Sequence, residues 1–286
     1  MKFVTFVRNG ASEPGVLIDT DVVSLKGAGF DTLLDVIAGG PAARARIGTW
    51  VLKPPSSEVS PLASVRLLAP IPRPPKIICV GLNYRDHAVE SNMEIPKVPT
   101  IFSKYSTSVI GPGETIQLPR VSTKPDYEAE FAVVIGKGGR HIAAGAWQEH
   151  VFGYTILNDV SARELQFDVS PPQTSFAKSM DGFCPMGPCL ATPDEFADVG
   201  DIRLRGWVND EKVQDGSTHD LIFPVPMLIA YLSSYLTLEP GDIIATGTPA
   251  GVGAFRKPPR YLAAGDVVRM EIAEIGILEN RVIAAD

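Results

Sequence analysis

The run PDYEAEFAVVIG, residues 125–136, constrains this chain more than any other segment. Side chains alternate along a strand, so Glu128 and Glu130 point one way while Tyr127, Ala129 and Phe131 point the other. Two like charges on one strand face repel unless solvent or a cation compensates them. A second apolar stretch, Tyr154 to Leu157, ends near Asp159, where a third oxygen ligand would be useful. Three carboxylates without a neighbouring His or Cys cluster describe a hard-cation site of the Mg²⁺ or Mn²⁺ type and argue against zinc. Taken alone, the Glu-x-Glu pattern also describes an ordinary solvated strand face.

The rest of the chain supplies a setting for such a site. With 286 residues and 45% hydrophobic content it can bury a sizeable core, and the length accommodates one large domain plus a small one. Residues 1–52 alternate short apolar runs, Phe3 to Val7 and Val16 to Ile18, with turn residues, then give a short helix with Asp31 as N-cap before TLLDVIA. Two proline-rich segments, KPPSSEVSP and APIPRPP, flank the strand-like Val65 to Leu68 and read as extended connectors. From the short strand Lys76 to Val80 onward, β-type runs recur at Phe131 to Ile135, Leu204 to Val208, Ile243 to Ala245 and Val267 to Ile272. The clearest helix lies at Met227 to Leu236, after Pro226. Strands that do not alternate regularly with helices predict an α+β, β-rich mixed fold. The expected division is a small N-terminal α+β domain with its linker over 1–70 and a catalytic domain over 71–286.

Four further groups carry chemistry. His87 and Glu90 are three apart in RDHAVE, so a helical turn after Tyr84 lets the carboxylate orient the imidazole and tune it as a base near neutral pH. On an exposed helix the same pair is a surface ion pair. Lys178 stands among Gly, Pro, Met and Phe, where it must find a partner or reach water; as a fixed charge it would stabilise an enolate, and otherwise its head snorkels to solvent. Arg163 and Gln166 follow Asp159 at helical spacing and can reach a substrate carboxylate or keto oxygen, or else belong to a helix surface. The loop TGTPAGVG lacks P-loop and dinucleotide fingerprints, but its consecutive amides beside the Thr248 hydroxyl can form a small anion nest.

Charge and cysteine content narrow the partners. A net charge of −7 and a pI near 5.2 leave no electrostatic footprint for nucleic acid or an anionic membrane. The start, MKFVTFVRNGASEP, has no signal-type apolar core, and no run of about 18 apolar residues occurs, so the expected location is the cytoplasm. Cys79, Cys184 and Cys189 are too few for a disulfide framework and lack the second pair of a zinc site.

The ordered set GLNYRDHAVE, PDYEAEFAVVIG, FAKSMDGFCPMGP and ATGTPAGVG, with the tail AFRKPPRYLAAGDVVRMEIAEIG, resembles the fumarylacetoacetate hydrolase family over about residues 70–285. The nearest branch contains acylpyruvate hydrolases, oxaloacetate decarboxylases and tautomerases, and hydrolases of 2,4-diketo-3-deoxy sugar acids. The resemblance implies a rolled, mixed β-sandwich with the site at one open end. It assigns Mg²⁺ or Mn²⁺ to Glu128, Glu130 and Asp159, catalysis to His87, Glu90 and Lys178, and substrate binding to Arg163, Gln166, Gly247 and Thr248. It also implies that the segment bearing the His-Glu pair orders over substrate, and Ser91 to Val98 is compatible with a mobile lid. The expected reaction is hydrolysis of a C–C bond in a 2,4-diketo acid: His87 with Glu90 activates water, and a pyruvate enolate leaves. The alternative is an oxaloacetate decarboxylase or tautomerase, which uses the same electron sink without attacking water. The resemblance further implies a homodimer. Light scattering at micromolar concentration should therefore return twice the 30.7 kDa chain mass, and a monomer there would count against it.

Overall fold

The computed structural model describes residues 1–285. A twelve-stranded sheet dominates it. Its main path runs Val59–Pro61, Asp21–Ser24, Ala11–Ile18, Lys2–Arg8, Cys184–Ala191, Val151–Asn158, Ala129–Ile135, Ile243–Ala245, Ile77–Gly81, Thr100–Lys104. The first strand therefore does not stop at its own hairpin: Lys2 pairs with Ala191 and Phe3 with Leu190. A second sheet of five strands contains Arg203–Val208, Glu211–Ser217, Val267–Ile272, Gly276–Ala284 and Ile116–Leu118. The mixed sheets and few helices are the α+β architecture read from the sequence. Among the described residues no helix is long and apolar enough to cross a membrane.

The strand Ala129–Ile135 is buried at every position, and its alternation divides the core in two. Phe131, Val133 and Ile135 join a cluster with Tyr154, Leu204, Met270 and Leu228, from the second sheet and the helix Val225–Tyr235. Ala132 and Val134 join the other cluster, with Val36, Ile37 and Ile47 of the N-terminal helices. Helix Val225–Tyr235 presents Val225, Leu228, Ile229 and Leu232 inward, the i, i+3, i+4, i+7 spacing of one helical face. Glu128 and Glu130 share the parity of Ala132 and Val134, so they extend an otherwise apolar face at the strand's beginning.

Two local details differ from the sequence reading. The first helix, Leu33–Ala38, is capped by Thr32 and not Asp31; Thr32 and Asp35 form a reciprocal capping box, which Asp31 is one residue too early to make. A second helix, Gly40–Trp50, was not expected, because GPAARARIGTW carries little apolar periodicity. It buries only Ala43 and Ile47, and Arg44 lies 5.0 Å over the Phe152 ring while donating to the Phe152 carbonyl.

Phe131 stacks on Tyr154 at 4.9 Å, and Phe196 meets Tyr154 edge-on at 4.9 Å. Phe131→Ala should destabilise the fold by about 3–5 kcal/mol in urea unfolding, and a loss below about 1 kcal/mol would mean that this face does not carry the core.

Candidate metal centre and the cavity around it

Two neighbouring core strands bring the three carboxylates together. Ala129 pairs with Asn158 and Glu130 with Leu157. The Asp159 amide donates to the Glu128 carbonyl at 2.9 Å, and the Glu128 amide donates to Asn158 Oδ1 at 3.0 Å. Glu128, Glu130 and Asp159 are all buried, and each offers an oxygen within 4.8 Å of the other two.

Buried charge persists only when paired and hydrogen-bonded. Lys178 Nζ donates to Glu128 Oε2 at 2.8 Å and to Asp159 Oδ2 at 2.6 Å. Lys104 Nζ takes the other Asp159 oxygen, Oδ1, at 2.6 Å. Arg163 donates from Nε to Asp126 Oδ2 at 2.8 Å and from Nη1 to Gln166 Oε1 at 2.9 Å. Its Nη2 lies 2.7 Å from Glu128 Oε1 without hydrogen-bond alignment, so one buried donor has no aligned partner. Burial by itself would raise the Glu128 carboxyl, but Lys178 and Arg163 outweigh it and hold the group down at about 2. Glu130 goes the opposite way: burial, then the charges of Asp159 and Glu128, push it well above the ordinary carboxylate range. Lys178 is raised, because Asp159 and Glu128 outweigh the burial that would lower it.

This donor set fits a divalent cation. It offers oxygen only, which suits a hard ion, and Glu130 has two like charges against it with no lysine contact of its own. Four buried carboxylates, Asp126 included, face three cations, Lys104, Arg163 and Lys178. One negative charge is left over when all are ionised, and a divalent ion would turn that into one positive charge.

A cavity of about 290 Å³ opens onto this cluster. Glu128, Glu130, Arg163, Gln166, Lys178 and Thr248 line its polar end, and His87 lies on its wall. The helix Arg85–Glu90 follows Tyr84, as the spacing suggested. His87 Nδ1 meets Glu90 Oε1 at 2.7 Å, which places the neutral ring's proton on Nδ1 and leaves Nε2 as the basic nitrogen. Glu90 Oε2 accepts from the Gly251 amide at 2.8 Å. Phe255 packs beside the His87 ring at 5.9 Å and beside Phe167 at 6.1 Å. Met93, from the expected lid segment, reaches the cavity wall, although it is exposed like Ile95 and Val98.

All ten residues singled out in the sequence lie in or directly against this site, although two have commitments that spacing did not reveal. The Gly247 amide donates to Glu130 Oε2 at 2.9 Å. The Thr248 hydroxyl donates to the Ala129 carbonyl at 2.9 Å and accepts from Gln214 Nε2 at 2.8 Å. The loop thus holds a carboxylate of the protein itself. Sequence reasoning missed Lys104 and Asp126. Lys104 ends the strand Thr100–Lys104, three of whose five positions are exposed, yet is itself fully buried, so the segment TIFSK carried no signal of its role.

Residues 76–283 match the family described as Fumarylacetoacetate (FAA) hydrolase C-terminal. The chain is 47% identical over 225 residues to the mitochondrial oxaloacetate tautomerase FAHD2A of Homo sapiens, covering 79% of this chain and 72% of that protein. It is 44% identical over 261 residues to the oxaloacetate tautomerase YisK of Bacillus subtilis, covering 88% and 86%. Maleylpyruvate hydrolase from Sphingobium sp. SYK-6, solved with manganese(II) and pyruvate, superimposes with a TM-score of 0.84 at 31% identity over the whole of both chains.

The opposite shifts of Glu128 and Glu130 predict two pH responses. Glu128, held down, contributes stability that is present above its ordinary range and lost as pH falls towards about 2. Glu130, pushed up, contributes stability at low pH that is lost as pH rises through its folded value. Ion-free protein should therefore melt at progressively lower temperature as pH rises from the ordinary carboxylate range up through Glu130's raised value, and level off above it. Saturating Mg²⁺ or Mn²⁺ should remove that loss, because the ion takes the ionised carboxylate. Melting curves against pH, in EDTA and with each ion, make the comparison, and identical curves would count against the site.

Proposed function

This chain belongs to the fumarylacetoacetate hydrolase family, and from that premise we propose that it is a divalent-cation-dependent enzyme of 2-oxo acids whose main reaction is keto–enol tautomerisation of oxaloacetate. This puts the alternative drawn from the sequence ahead of C–C hydrolysis. The names of its relatives favour that order: those at 44% and 47% identity are named oxaloacetate tautomerases, whereas the solved structures named hydrolases stand at 39% (fumarylacetoacetate hydrolase of Exiguobacterium antarcticum) and 31%. The observation that carries the reading is the His87–Glu90 pair on the wall of the same small cavity as the acidic cluster and Lys178. Proton transfer beside a 2-oxo group needs a base, an electrophilic end and a dry pocket, and little else.

Held by Glu128, Glu130 and Asp159, a Mg²⁺ or Mn²⁺ ion would supply Lewis-acid polarisation of the 2-oxo acid. The chain's own groups account for the rest. Arg163, with its unaligned Nη2, and Gln166 receive a substrate carboxylate, and Thr248 bounds that end of the cavity. His87 Nε2 removes a proton from C3 while Glu90 stabilises the imidazolium that forms. The electron pair moves into the C2–C3 bond and from the C2 carbonyl onto oxygen, where the Lys178 ammonium offsets the charge. Protonation of that oxygen gives the enol, and the reverse sequence restores the ketone, with no net change in protons.

A hydrolytic side activity on 2,4-diketo acids uses the same groups, with His87 taking its proton from water. The substrate partners are thus small 2-oxo and diketo acids.

Enol-to-keto conversion of oxaloacetate, followed by NMR, should accelerate with Mg²⁺ or Mn²⁺, stop in EDTA, and fall by about 10²–10⁴-fold in His87→Ala. No acceleration by wild-type protein would sink the proposal. Acylpyruvates run in H₂¹⁸O report the other reaction. Labelled acid released faster than oxaloacetate is tautomerised would restore the hydrolase reading to first place.

A further inference from the structure

The buried carboxylate of Asp126 does not line the cavity, and the mechanism above makes no use of it. It is nonetheless bonded to two of the cavity's walls. On one side, Oδ2 accepts from Arg163 Nε at 2.8 Å. On the other, Oδ1 accepts from the Gly253 amide at 2.8 Å and Oδ2 from the Ala254 amide at 2.9 Å. The Tyr127 amide, at 2.9 Å from Oδ1, completes four donors on two oxygens. The approach is close: a Cβ on Gly253 would lie 2.5 Å from Asp126 Oδ1 and 2.0 Å from the Arg260 carbonyl, so only glycine fits. The next residue but one is Phe255, which packs against His87.

We propose that Asp126 is a positioning residue that sets Arg163 and Phe255 together. Its bond to Nε fixes the rotation of the guanidinium, so that Nη1 meets Gln166 and Nη2 stays at the acidic cluster, beside the substrate. An arginine held only through its Nη atoms would keep freedom about its last bonds, and that freedom would be lost on binding substrate. The two loop amides meanwhile hold the turn that carries Phe255 against the base. A carboxylate is required for this: asparagine has the same shape but brings an N–H₂ group into a site that contains only donors, and neither flip of the amide satisfies it.

This inference rests on the reading in which Arg163 takes a substrate carboxylate, so binding is measured apart from turnover. Oxalate serves as the dianionic probe, titrated by calorimetry into Mg²⁺-saturated wild type, Asp126→Asn, Arg163→Lys and the double variant. Asp126→Asn should weaken oxalate and raise KM for oxaloacetate by about tenfold or more, as expected for a lost charge-assisted hydrogen bond, with a smaller change in kcat. Lysine has no Nε–H to hold, so Asp126→Asn should add no further loss of oxalate affinity in the Arg163→Lys background. Additive effects, unchanged oxalate affinity in a folded variant, or a parallel fall in Mg²⁺ affinity would each overturn the proposal. If Asp126→Asn does not fold, wild type still decides. The Arg163 Nε–H, assigned by its absence in Arg163→Lys, should exchange slowly with solvent, and exchange as fast as that of an exposed arginine overturns the proposal. Wild type that binds oxalate but fails to tautomerise oxaloacetate would sink the functional reading and leave this test intact.

Discussion

Asp159 sits between two buried ammonium groups, Lys104 on one oxygen and Lys178 on the other, and the rest of the site depends on that balance. Like-charged carboxylates cannot be stacked inside a protein without compensation. Here the compensation is incomplete: Glu128 shares Lys178 and faces Arg163, but Glu130 has only the Gly247 amide and more distant charges. An oxygen-lined place with one negative charge in excess is a place for a hard cation, and once loaded it favours a dianionic acid. On the proposed function, the cation and the dianionic substrate would then have one electrostatic origin.

The long sheet makes this arrangement affordable by supplying apolar cover. The strand Ala129–Ile135 is dry on both faces from Phe131 onward, and the carboxylates appear only at its first positions, where the cavity opens. Its neighbour, Val151–Asn158, delivers Asp159 in register one step past its own end. The remaining groups arrive from loops and short helices at that end. Catalytic parts carried on a rigid sheet but supplied by variable connections allow one fold to serve related reactions.

The loop from Gly247 to Ala254 gathers these parts. Its amides bond Glu130, Glu90 and Asp126 in turn, and so tie a metal-site carboxylate, the histidine's partner and the arginine's partner to one backbone segment. Gly251 has φ of +108°, and a Cβ there would meet the Val213 carbonyl at 2.0 Å, so neither backbone nor space admits a side chain. In the proposed function, tautomerisation and hydrolysis would both draw on the groups this loop arranges. They would differ in whether His87 takes its proton from carbon or from water, according to which molecule fills the cavity.

Local pattern determined much of this protein. Alternation and β-branched runs marked the strands Ile243–Ala245 and Val267–Ile272 at their observed bounds, and i, i+3 spacing brought His87 and Glu90 together. The acidic cluster was legible because Glu-x-Glu puts two carboxylates on one face whatever the fold. Tertiary structure alone decided the partners that lie far apart in the chain. Lys104 meets Asp159 across 55 positions, and Asp126 meets Gly253 across 127, so no local spacing could connect them. It also converted the loop's expected anion nest into a holder of the protein's own carboxylates, because a backbone amide bonds whichever acceptor the packed fold brings to it first.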